Sequence, residues 1–68
     1  MKENNFSIKK DKSIRDALKQ IELNGLGLVL IEDRRKIIGL ITDGDIRRAL
    51  IKNKNLNISL SSFMNKKR

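Results

Sequence analysis

The stretch Gly39-Leu40-Ile41-Thr42-Asp43-Gly44-Asp45-Ile46-Arg47-Arg48-Ala49-Leu50 decides the fold. Ile37, Ile38, Leu40 and Ile41 form a run rich in β-branched residues, which predicts a strand covered on both faces. Ile46, Ala49 and Leu50 then recur at helical spacing, so the strand hands over directly to a helix whose first turn holds Thr42 and Asp45. An abrupt strand-to-helix turn leaves the helix's first backbone N–H groups free and its positive dipole end outward, which suits an anion. Thr42-x-x-Asp45 fits a capping box equally well, in which both side chains only satisfy their own helix.

Working outward, Glu32-Asp33-Arg34-Arg35 is a charged turn, and Leu28 to Ile31 before it is an unbroken apolar strand, so the two strands make a hairpin. Asn24-Gly25 stops a preceding helix, with Gly25 suited to the left-handed position after its end. Ser13-Ile14-Arg15-Asp16 is a capping box at that helix's start, and Ile14, Ala17, Leu18 and Ile21 form its apolar stripe. Phe6 and Ile8 alternate with polar residues and fit a short edge strand. The order is β-α-β-β-α, an α+β unit in which two helices pack on a small sheet to bury their stripes. From Asn53 the character changes to Lys and Asn, then Ile58, Leu60, Phe63 and Met64 among serines, then a basic end. Residues 55–68 therefore read as a linker whose apolar segment needs something to pack against.

At 68 residues the chain is one small domain, and a domain near that size buries only roughly 60 % of its unfolded surface. Without Cys or His it has neither disulfides nor a thiolate or imidazole metal site, so a second copy of the chain is the expected source of extra burial. No metal site and no catalytic set is expected: a nucleophile–base pair cannot be assembled from this inventory. No apolar run reaches the roughly 18 residues of a membrane span, and the N-terminus lacks a signal-peptide core, which predicts a cytoplasmic protein. Sixteen Lys and Arg against eight Asp and Glu give a formal net charge of +8 and favour anionic partners. Phe6 and Phe63 are the only aromatics, which weighs against single-strand nucleic-acid readers built on stacking.

This element order, together with Gly39-Leu40-Ile41-Thr42-Asp43-Gly44-Asp45-Ile46, resembles a CBS (cystathionine β-synthase) motif, whose usual signature is Gly, two apolar residues, Thr or Ser, two variable residues and Asp. The resemblance covers residues 6–54 as a single motif, and Ser62-Phe63-Met64-Asn65-Lys66 resembles the start of a second one. The wording Thr42 to Arg48 is similar to the subgroup attached to sugar nucleotidyltransferases or sugar-phosphate isomerases, which implies an enzyme outside this chain. CBS motifs pair about a pseudo-twofold axis as a Bateman module and bind adenosyl nucleotides in the cleft between them. The resemblance therefore implies a non-catalytic regulatory module, a homodimer through CBS pairing, no required cofactor, and AMP, ADP, ATP or S-adenosylmethionine as ligand.

Carried onto this sequence, the Thr42 hydroxyl helps to hold phosphate and the Asp45 carboxylate accepts from the ribose hydroxyls. An ionised Asp is acceptor-only and takes two donors at once, in bonds roughly twice as strong as neutral ones. Gly44 either lets a phosphate approach the backbone or relieves the helix start. Arg47 is preferred over Arg48 as a phosphate partner, although helix-face charges are commonly just solvated. Ile8, Leu28 and Ile38 are the candidates for an apolar slot for the base, against ordinary core roles. Two other functions remain open: a basic nucleic-acid-binding domain using Arg34, Arg35, Arg47 and Arg48, and a dimerisation scaffold with no ligand. Lys9, Lys10, Lys12 and the end from Asn65 to Arg68 read as solubilising termini.

Overall fold

A computed structural model of the chain describes residues 6–52 and 55–66, with side chains described as far as Met64. The polar start at 1–5, the Asn53-Lys54 junction and the side chains of the basic end lie outside the described residues. Elements run β1 (Ser7–Lys9), α1 (Ile14–Asn24), β2 (Leu28–Asp33), β3 (Lys36–Thr42), α2 (Asp43–Ile51) and α3 (Leu60–Lys66). The sheet is mixed, in the order β1-β2-β3: β1 pairs parallel with β2, and β2 antiparallel with β3. Parallel partners need a crossover, and α1 supplies it. The fold is α+β, as expected.

Local chemistry sets the helix ends. Ser13 Oγ accepts the Asp16 amide at 3.1 Å while Asp16 Oδ2 accepts the Ser13 amide at 3.2 Å, completing the box before α1. Gly25, at φ 69°, closes α1 in the left-handed region and donates its amide to the Ile21 carbonyl at 3.0 Å. The hairpin turn is shorter than the charge run suggests: Glu32 and Asp33 belong to β2, and Arg34 and Arg35 alone turn the chain, at φ 54° and 70°. Two consecutive positive φ values are the pattern of a two-residue hairpin loop, which matches the twist of the flanking strands.

Strand register sorts the side chains. Ile8, Val29, Ile31 and Ile41 are buried with Ile14, Ala17 and Ile21 of α1 and Ile46 and Ala49 of α2. The β3 strand departs from the expectation of cover on both faces. Ile41 is buried, but Ile37, Ile38 and Leu40 are 53, 44 and 50 % exposed, because β3 is an edge strand and the helices cover one face of the sheet. A register shift adds to this: Ile31 faces Gly39 while the next residue, Glu32, faces Ile37, so Ile38 is the extra residue of a bulge and alternation fails there.

The segment after α2 packs on the same core. Leu60 is fully buried and Phe63 nearly so, with Leu56, Ile58 and Met64 against the cluster. Its backbone serves α1 directly, the Ile14 and Arg15 amides donating to the Ile58 and Leu56 carbonyls at 3.1 and 3.0 Å. In return the Leu60 and Ser61 amides at the start of α3 donate to the Lys12 and Lys10 carbonyls at 2.7 and 3.0 Å. Two sets of otherwise orphaned helix-end donors are satisfied by one docking event.

Candidate functional site

The β3–α2 turn holds Thr42, Gly44 and Asp45 together. Thr42 is the cap, in extended conformation at φ −110°, and its Oγ1 accepts the Asp45 amide at 3.0 Å. Asp45 Oδ2 accepts the Thr42 amide at 3.0 Å, so the capping box is fully formed. Asp45 is 9 % exposed and is the one charged residue in the buried class among the described residues. A carboxylate out of water needs compensation, and here Arg48 provides it, with Nη2 2.8 Å from Asp45 Oδ1.

The amides of this turn are less free than the bare strand-to-helix geometry suggests. Asp43 donates its amide to the Gly27 carbonyl at 2.8 Å, and that of Asp45 goes to Thr42. Gly27, at φ 79°, adopts a backbone that side chains disfavour, and the loop before β2 thereby reaches the start of α2. Gly44 is not at a positive φ; a β-carbon there would stand 3.7 Å from Thr42 Oγ1 and from Arg48 Nη1. The hydroxyl and the guanidinium thus share the space above Gly44.

The remaining candidates are dispersed. Arg47, spaced four residues from Asp43, pairs with its Oδ2 at 2.7 Å on the exposed side of α2. Arg48, three residues from Asp45, is the arginine at the site; both spacings are visible in sequence and only side-chain placement separates them. Ile8 lies opposite Ile31 and is part of the core on the helix-covered face. Leu28 lies opposite Thr42, three residues from the inward Ile31 and so on the other face, while Ile38 is the bulge residue. One apolar slot within a single copy therefore does not bring Ile8, Leu28 and Ile38 together. Gly27, whose carbonyl meets the turn, was not among the sequence candidates, and Arg48, which the sequence ranked behind Arg47, is the arginine that reaches Asp45. No group of three potential metal-ligating side chains occurs among the described residues, and no described helix is long and apolar enough to cross a membrane.

The profile of the CBS domain family matches residues 1–52, a span that includes the β-α-β-β-α unit and the Thr42–Asp45 cap. The chain belongs to the CBS domain family. Relatives of this CBS chain include the arabinose 5-phosphate isomerase KdsD of Yersinia pestis, 42 % identical over 52 residues, which are 75 % of this chain and 16 % of that protein. The arabinose 5-phosphate isomerase GutQ of Escherichia coli O6:H1 is 45 % identical over 40 residues, 57 % of this chain and 12 % of the relative. The chain thus spans about a sixth or less of these relatives' length. In shape it matches the CBS domain protein PAE2072 from Pyrobaculum aerophilum complexed with AMP, with a TM-score of 0.79 and 20 % identity, covering 91 % of this chain and 50 % of that one.

Proposed function

We propose that this CBS chain is a non-catalytic regulatory module that senses an adenine nucleotide or a related phosphorylated ligand and modulates an enzyme attached to it in a longer protein. The observation that carries this is the Asp45 carboxylate, held almost out of water at the start of α2 with Thr42 and Arg48 beside it. Two ribose hydroxyls match an acceptor-only carboxylate, and a phosphate matches a hydroxyl next to a guanidinium. A neighbour of the same fold is complexed with AMP, which supports AMP, ADP, ATP or S-adenosylmethionine as the class to try first.

The ligand cleft would form between paired motifs. This chain covers half of that neighbour, and the open face of its sheet carries Leu40, Ile37 and Ile38 with large exposed areas. We read these as the surface that meets a second CBS motif, with residues 6–54 as one motif and 55–68 as linker and the start of the next. Pairing with a second copy gives a homodimer in the cytoplasm. A ligand that binds one relative orientation of the paired motifs more tightly shifts the population toward it, and the attached enzyme responds to that shift. The relatives make a sugar-phosphate isomerase the first enzyme to consider; a sugar nucleotidyltransferase is the other.

Nucleic-acid binding is the rival use of the positive charge. Arg47 and Arg48 each hold a carboxylate of their own helix, which removes two of the four arginines that such an interface would use. Titration of AMP, ADP, ATP, S-adenosylmethionine and duplex DNA at two salt concentrations separates the two functions. Saturable nucleotide binding with little salt dependence supports sensing; duplex affinity that falls steeply with salt, without nucleotide binding, contradicts it.

A further inference from the structure

Arg48 closes on the carboxylate assigned above to the ribose. Its Nη2 lies 2.8 Å from Asp45 Oδ1, whereas Oδ2 is engaged by the Thr42 amide, so the guanidinium holds the other oxygen of a carboxylate only 9 % exposed. The Arg48 side chain itself remains 66 % exposed and is held on its helix by one end. The guanidinium also borders Gly44: Arg48 Nη1 lies 3.7 Å from where a β-carbon there would stand, and Thr42 Oγ1 lies at the same distance, so glycine leaves a small open space between them.

We propose that Arg48 is a latch that closes on Asp45 in the empty site and transfers to the ligand's phosphate when ribose hydroxyls take Asp45 Oδ1, so that the site selects nucleotides over nucleosides. The inference rests on the nucleotide-sensing function proposed above. A neutral nucleoside that displaces Arg48 leaves the guanidinium without its counter-charge and gives the carboxylate only neutral donors. A nucleotide returns an anion to the guanidinium, in a charge-assisted and potentially bidentate bond. Because Thr42 Oγ1 and Arg48 Nη1 already flank the space above Gly44, the transfer is a short swing of one side chain.

The test compares AMP with adenosine, by titration, on the unmodified chain, Arg48→Ala, Arg48→Lys and Asp45→Ala. The unmodified chain should prefer AMP by about tenfold or more, the scale of one charge-assisted contact. Arg48→Ala should bring that preference close to unity while binding adenosine no more weakly than the unmodified chain, and Arg48→Lys should restore part of it. A preference left intact in Arg48→Ala, with AMP binding still lost in Asp45→Ala, overturns the latch and leaves nucleotide sensing in place. Absence of AMP binding to the unmodified chain overturns both.

Discussion

Thr42 and Asp45 hold each other's backbone amides, each through a side-chain oxygen 3.0 Å away, so the two residues that would bind a nucleotide also start the helix that carries them. Thr42→Ala removes one half of this exchange and is expected to destabilise the chain by about 1 kcal/mol, whereas Thr42→Ser keeps the cap. Urea midpoints of the two variants check this; equal midpoints for Thr42→Ala and the unmodified chain would show that the hydroxyl does not cap.

Gly44 separates the structural from the binding role. It sits in the first turn of α2 without a positive φ, and an added β-carbon meets Thr42 Oγ1 and the Arg48 guanidinium at ordinary contact distance. Gly44→Ala is therefore expected to raise stability by about 0.5 kcal/mol through helix preference and lower chain entropy. The same methyl stands in the space assigned to phosphate, so AMP affinity should fall as the midpoint rises. An AMP affinity unchanged by Gly44→Ala would move the phosphate elsewhere.

Acid should act through the other capping box. The Ser13 backbone amide, and then the Ser13 hydroxyl, hold the Asp16 carboxyl below its ordinary value of 3.8, with Lys12 and Lys19 adding to the effect against slight burial. A carboxyl depressed in the folded state contributes stability that is fully present above its unfolded pKa and is lost as pH falls through the folded one. Urea unfolding between about pH 5 and pH 2 should show this loss, and Asp16→Asn should flatten that part of the profile. An identical acid profile in Asp16→Asn would remove Asp16 from the account.

The open sheet face predicts association. Leu40 is half exposed in the single chain, so Leu40→Glu should change its own stability by no more than about 0.5 kcal/mol. Placed between two apolar faces, the same carboxylate would be buried without a partner and should dissociate the pair. Sedimentation equilibrium on both chains reads the outcome: a dimer lost in Leu40→Glu supports pairing through this face, and an unchanged dimer assigns pairing to another surface.

The elements legible in sequence are those whose signals are local. Ser13 to Asp16 and Thr42 to Asp45 announce both helix starts, Gly25 announces a helix end, and apolar spacing announces the strands, because each depends on neighbours within four residues. The bulge at Ile38 was not legible, since it depends on how β3 registers against β2, and neither was the exposure of Ile37 and Leu40 that follows from β3 being an edge. That residues 56–66 dock on this core was hidden for the same reason: the amides of Ile14 and Arg15 meet the Ile58 and Leu56 carbonyls only after the chain has folded back. At the site, charge spacing offered both Arg47 and Arg48, and only rotamer placement put Arg48 on Asp45 and Arg47 on Asp43.

Nucleotide sensing at the β3–α2 turn is tested most directly by thermal unfolding with and without AMP, on the unmodified chain and on Asp45→Ala, each compared with its own ligand-free midpoint. At 100 times the dissociation constant a ligand adds about 2.7 kcal/mol, a shift of several degrees for a domain this small. The expected result is a raised midpoint in the unmodified chain and none in a still-folded Asp45→Ala. A rise that survives in Asp45→Ala, or no rise at millimolar AMP in either chain, would contradict a ligand site at Asp45.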